Sequence, residues 1–105
     1  MKRSAGIATL ALVALASRAD EPTPQQLEGM RHFNQSCRVC HTRPQLTSTQ
    51  YAPVLSRVSL GGNDEALRVF IANGSPKMPG FRYHFKRAEI EAIVAYLKTV
   101  PPPAD

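Results

Sequence analysis

The apolar positions of this chain fall into three stretches of helical period separated by segments with no period at all. In the first, Leu27, Met30 and Phe33 recur three residues apart, with polar residues between them. Thr23 stands where an N-cap belongs, Pro24 suits the first helical position and Gln26 completes a capping box, so the pattern predicts a helix from about Pro24 to Ser36. In the second, Asn63 precedes Asp64 and Glu65, whose charges complement the positive end of a helix. Leu67, Phe70 and Ile71 then share one face, and Asn73-Gly74 is a left-handed stop. In the third, Ile90, Ile93, Val94 and Leu97 predict a helix from about Arg87 to Thr99, ended by Pro101-Pro102-Pro103. Its start is irregular, because Phe85, Lys86 and Arg87 supply no Ser, Thr or Asp cap and place two cations where the dipole disfavours them.

Between these helices lie two loops. Residues 42–62 are broken by Pro44, Pro53 and Gly61-Gly62, and SPKMPGFRYHF (residues 75–85) by Pro76, Pro79 and Gly80. No stretch alternates as a strand does, no segment repeats, and the tail PPPAD is expected to be disordered. The fold class is therefore all-α. A loop of this length inside so small a domain is unusual unless it wraps something. Three short amphipathic helices cannot bury enough of one another to offset the ordering of the chain, and a large flat apolar group at the centre would supply the missing core.

The first nineteen residues stand apart. Lys2 and Arg3 precede an apolar run over residues 5–16, and Ser17-Arg18-Ala19 places small residues where a signal peptidase reads, so residues 1–19 are expected to be a signal peptide cleaved before Asp20. Twelve apolar residues are too few to span roughly 30 Å of hydrocarbon, and the mature chain is expected to have no stable membrane insertion. Residues 20–105 then form a single domain.

Composition narrows the class further. The chain has 105 residues, 7% aromatic content and no tryptophan, which leaves little material for a large core. Its formal charge of +5 falls to +2 once Lys2, Arg3 and Arg18 are removed, too little for nucleic-acid binding by charge. The charge is uneven, however. Residues 38–87 carry Arg38, Arg43, Arg57, Arg68, Lys77, Arg82, Lys86 and Arg87 against Asp64 and Glu65, while both flanks are acidic. Such a chain can present one positive face to an acidic patch on a partner.

The chemistry sits in SCRVCHTR, residues 36–43, which hold both cysteines of the chain, Cys37 and Cys40, followed directly by His41. CxxC followed at once by His is the attachment signature of c-type haem: each thiol adds across a vinyl group and the adjacent imidazole binds iron. A redox dithiol would want a βαβ scaffold, for which strands and length are lacking, and a zinc site would find adjacent Cys40 and His41 awkward for tetrahedral geometry. Met78, in KMPGF, is the favoured second axial ligand, with His84 its competitor and His32 an outsider; Met30 belongs to the apolar face of the first helix.

Together these features resemble the class I (mitochondrial-type) cytochrome c family, in its small bacterial periplasmic monohaem branch, over nearly the whole of residues 20–105. Gly29 and Phe33 match that family's first-helix pair, and Tyr96-Leu97 its last-helix pair. Ala52-Pro53-Val54-Leu55 matches its Gly-Pro-x-Leu segment, with Ala52 in place of the usual glycine and Pro53 twelve residues beyond His41. The resemblance implies three main helices and long loops around one covalently attached haem c. Cys37 and Cys40 would form the thioethers, His41 and Met78 would be the axial ligands, and the Pro53 carbonyl would accept the free ring N–H of His41. Tyr51, Arg57 and Arg82 are proposed donors to the haem propionates, for which the chain has no tryptophan and no obvious paired set. The implied function is one-electron transfer by an exported, monomeric, non-enzymatic carrier in the periplasm, between a periplasmic dehydrogenase and a terminal oxidase or membrane cytochrome. The alternatives are a haem subunit of a dehydrogenase complex, or a five-coordinate peroxidase or sensor if Met78 does not bind iron. Partners are expected to be redox proteins acidic at the docking patch.

Overall fold

The computed structural model describes residues 4–6, 21–42 and 51–104. The proposed signal segment, apart from residues 4–6, and Arg43 and Pro44 of the first loop lie outside the described residues, as does Asp105.

Among the described residues four helices form: α1 (Pro24–Ser36), α2 (Arg38–His41), α3 (Asp64–Asn73) and α4 (Arg87–Leu97). A 3-10 turn at Ser59–Gly62 leads into α3, and there is no strand among the described residues beyond an isolated bridge between Ser75 and Met78. α1 begins where its capping box dictates: Thr23 Oγ1 accepts from the Gln26 N–H at 3.1 Å, and Gln26 Oε1 accepts from the Thr23 N–H at 2.8 Å. α3 begins on Asn63, whose Oδ1 accepts from the Ala66 N–H at 2.9 Å, and ends on Gly74 at φ 69°.

The irregular start read for α4 is corrected by the structure. Lys86 offers no side-chain cap, but Glu89, three residues on, turns its Oε1 back to accept the Lys86 N–H at 2.8 Å. The acidic half of a capping box thus caps the helix by itself, and its charge offsets the cations at Lys86 and Arg87. The helix also stops at Leu97, two residues before the expected Thr99.

α1 packs chiefly on α4. At their crossing a Cβ on Gly29 would fall on the carbonyl of Ala92 and lie 2.9 Å from the Ile93 nitrogen, so only glycine allows the backbones this close. One turn along, the Phe33 and Tyr96 rings meet with centroids 5.4 Å apart. The core gathers Phe33, Leu67, Ile71, Phe85, Ile93 and Leu97. α3 joins this pair through side chains as well as packing. Lys98 Nζ reaches Asp64 Oδ1 and the Gly62 carbonyl, each at 2.5 Å, and Arg68 Nε meets Glu91 Oε1 at 2.6 Å. His32 on α1 lies 3.4 Å from both Glu28 and Glu89, tying the far side of the α1–α4 seam.

The loop after α3 is clipped back onto it. Phe81 donates to the Ile71 carbonyl at 2.9 Å and Arg82 to the Ala72 carbonyl at 3.1 Å, continuing α3's hydrogen bonding from outside the helix. Arg57 donates its backbone N–H to the Val100 carbonyl at 2.8 Å, which anchors the first loop to the segment after α4. Pro101–Ala104 are exposed and irregular.

Candidate cofactor site

Between these elements opens a cleft of about 570 Å³, within the size range of small-molecule and cofactor sites. Its walls are mostly apolar: Val54, Leu55, Leu67, Phe70, Ile71 and Leu97 all face it.

His41 and Cys40 are set in one wall by α2. α1 does not simply stop before the motif. Cys37 keeps right-handed helical angles (φ −109°, ψ −36°), and the His41 N–H donates to the Cys37 carbonyl at 3.1 Å. Residues 37, 40 and 41 are therefore wound as one helical turn, in which positions i, i+3 and i+4 share a face. That gives the spacing a structural cause: one turn brings both cysteines and the histidine onto the same side of the chain. Cys40 and His41 line the cleft, while Cys37, 5% exposed, is buried in the core cluster and is not itself in the lining. Burial pushes the Cys37 thiol up to about 11, with the neighbouring Cys40 adding to the shift. A redox-active dithiol needs the opposite shift, toward the thiolate. A zinc site is no better served, since the three-residue group of ligating side chains among the described residues is Glu28, His32 and Glu89, not Cys37, Cys40 and His41.

His41 Nδ1 lies 2.8 Å from the Pro53 carbonyl oxygen. A carbonyl can only accept, so Nδ1 carries a proton, and in the neutral imidazole Nε2 is then the nitrogen with the lone pair. That is the tautomer a metal ligand requires, and the bond also fixes the ring's orientation.

Met78 lines the same cleft from the second loop. Its backbone is held by a reciprocal pair, Ser75 N–H to Met78 O at 2.9 Å and Met78 N–H to Ser75 O at 3.2 Å. Gly74 turns at φ 69° to allow this, and a Cβ there would lie 2.6 Å from the Gly80 nitrogen. Neither competing histidine reaches the cleft. His84 packs edge-on to Phe85, centroids 4.6 Å apart, and His32 also meets Phe85 edge-on, at 5.1 Å, near Glu28 and Glu89.

The proposed propionate donors divide. Tyr51 lines the cleft, its hydroxyl donating to the Lys77 carbonyl at 3.0 Å. Arg57 is exposed and outside the lining. Arg82 is carried away by its backbone bond to Ala72 and borders a separate, smaller cavity with Arg68 and Glu91, its guanidinium 5.4 Å from the Tyr83 ring centroid. Lys77, read from the sequence only as part of a basic face, is the cation among the described lining residues, which also include Ser56 and Ser59.

The residues present fit a large apolar cofactor with a metal at its centre. Around the cleft, Val58, Leu60 and Phe70 are 57%, 49% and 42% exposed although they face one another's space, as side chains do when the surface they pack on is a bound group. Leu60 even holds a left-handed backbone (φ 49°, ψ 40°), a costly conformation for a residue with a Cβ, while lining that space.

Comparison with known proteins agrees with this geometry. A family model described as cytochrome C oxidase, cbb3-type, subunit III matches residues 24–97. No curated protein matches the chain. Among solved structures, cytochrome c6 from the diatom Phaeodactylum tricornutum aligns with 22% identity and a TM-score of 0.54, covering 69% of this chain and 88% of its own. Cytochrome c6C from Synechococcus sp. PCC 7002 aligns with 20% identity and a TM-score of 0.53, covering 68% and 90%. At these identities the likeness speaks for the fold, that of the class I cytochromes.

Proposed function

The chain belongs to the cytochrome c family, as the match over residues 24–97 shows, and carries one covalently attached haem c; from that premise we propose that it is an exported one-electron carrier ligated by His41 and Met78. Haem iron with His and Met in its two axial positions exchanges single electrons and keeps no open position for a small-molecule substrate. The observation that carries the reading is the pairing of the two side chains in one apolar cleft: His41 with Nε2 freed by its bond to Pro53, and Met78 on a loop fixed by the Ser75 pair. Cys37 and Cys40 would be the thioether tethers. The apolar walls would keep water from the metal, which would favour the less charged, reduced state. Lys77 is the cation in this lining that suits the propionates better than Arg57 or Arg82, while the single O–H of Tyr51 is already given to the Lys77 carbonyl.

A visible spectrum of the purified protein tests this. Sharp Soret and α bands, with the weak absorption at the red edge that marks methionine sulfur on ferric iron, are expected. Met78→Ala should remove the red-edge band and keep the Soret band, whereas an unchanged band in that variant would remove Met78 from the metal.

Export through cleavage before Asp20 would place the carrier in the periplasm, and the mass of the mature chain checks it. No helix among the described residues is long and apolar enough to cross a membrane. In that compartment a periplasmic dehydrogenase would be the donor and a terminal oxidase or membrane cytochrome the acceptor. Arg38, Lys77, Arg82 and Lys86 are exposed and would steer docking onto an acidic partner. The association rate should then fall as ionic strength rises, and a salt-independent rate would contradict steering. A second reading, a haem-bearing subunit of a larger complex, is favoured by the match to an oxidase subunit. Size-exclusion chromatography of protein from its native membrane and soluble fractions separates the two.

A further inference from the structure

We propose that Tyr51 is a positioning residue for the Met78 loop, a latch that joins the wall bearing His41 to the wall bearing Met78 and so resists loss of the methionine from the metal. The inference rests on the reading of Met78 as an axial ligand. Its basis is a hydrogen bond between residues far apart in sequence, Tyr51 Oη donating to the Lys77 carbonyl at 3.0 Å. On one side, Tyr51 stands two residues before Pro53, whose carbonyl holds His41 Nδ1 at 2.8 Å. On the other, Lys77 is bonded directly to Met78. The path His41–Pro53–Tyr51–Lys77–Met78 therefore runs along the edge of the cleft and ties both metal-facing side chains into one chain of covalent and hydrogen bonds.

The other restraints on the Met78 loop act differently. The Ser75–Met78 pair and the Lys77 N–H to Ser75 Oγ contact at 3.3 Å hold the loop to itself. The Phe81–Ile71 and Arg82–Ala72 bonds hold its far end to α3. These fix the loop's shape and seat it on α3, and the Tyr51 bond adds a tie across the cleft toward the side that carries His41. The Tyr51 ring is 69% exposed yet lines the cleft, as expected for a side chain lying across a mouth rather than packed in a core. Because the acceptor is a main-chain carbonyl, the latch depends on Tyr51 and on the loop's conformation, not on the lysine side chain.

A test titrates ferric holoprotein with imidazole. The added nitrogen forms a bond to iron as the methionine sulfur leaves, with no change in electron count, and is followed by loss of the red-edge band and the Soret shift. Tyr51→Phe keeps the ring and removes the donor. A single exposed hydrogen bond shifts an equilibrium by roughly 2- to 10-fold, and the variant should bind imidazole that much more tightly. Its helix signal in circular dichroism should melt close to wild type. Tyr51→Leu, which removes ring and hydroxyl together, should shift binding at least as far and serves if the Phe variant yields no holoprotein. Tyr83→Phe, whose side chain is outside the cleft lining and whose residue is 94% exposed, should leave the titration unchanged. If the red-edge band is present in wild type and neither Tyr51 variant changes imidazole affinity, the latch is overturned. If wild type lacks that band and Met78→Ala leaves the spectrum unaltered, it is the ligand assignment that fails, and the latch with it.

Discussion

Gly29 shows how two physical effects at one residue can be set against each other. In an isolated helix, Gly→Ala stabilises by about 1 kcal/mol. Here the new Cβ would strike the Ala92 carbonyl and crowd the Ile93 nitrogen, both backbone atoms that no rotamer can move. Overpacking of this kind costs roughly 1–3 kcal/mol, and more where the backbone cannot give. Gly29→Ala should therefore lower the melting temperature of the holoprotein, and a raised one would show that α1 and α4 do not cross at this distance. The role was legible in the sequence because a poor helix former in mid-helix asks for a reason, and Phe33 and Tyr96 sit where a close crossing would want them. Arg57 and Arg82 were not legible in the same way. Their charge suggests an anion, but the direction each side chain takes is set by backbone bonds to Val100 and Ala72 that leave no trace in composition.

Among the elements, α4 was read correctly in period and incompletely at its start. A search for an N-cap looks at the residue before the helix, whereas here the acceptor is the carboxylate of Glu89 inside the first turn. Glu89→Ala removes it and should destabilise the protein by about 1 kcal/mol, the usual cost of a lost cap, measured by denaturant midpoint at unchanged slope. Glu89→Gln keeps the acceptor without the charge. Because the second carboxylate oxygen lies 3.4 Å from His32 Nε2, the difference between the two variants isolates the cap from the charge contributions on that face. α2 is the other case. Four residues carry too little pattern to predict a helix, yet the turn from Cys37 to His41 is what makes the motif's spacing work. The pattern of the motif is visible in sequence, and its conformation follows only once α1 has somewhere to continue.

At the scale of the molecule, the long loops and the small core share one cause. The described helices bury a modest set of side chains, chiefly Phe33, Leu67, Ile71, Ile93, Val94 and Leu97, and face the rest of their apolar surface toward the 570 Å³ cleft. Left empty, a space of that size would deprive the apolar walls of the packing contacts that a bound group supplies. Filled with water, it would instead leave Phe70, Val58 and Leu60 as wetted apolar walls around a loop with little else to hold it. Either way the fold without its cofactor lacks a centre, so covalent attachment and folding are coupled as binding and folding are in a metal-dependent domain. The double variant Cys37→Ala with Cys40→Ala, which removes both tethers and leaves His41 and Met78 in place, should be largely unfolded when no haem is supplied. Single variants that keep one thioether should retain the Soret band and melt at a lower temperature than wild type. Native-like helix content by circular dichroism in the haem-free double variant would mean that α1, α3 and α4 hold one another without the group in the cleft, and that the packing of Gly29 on Ala92 and of Phe33 on Tyr96 suffices to define the fold.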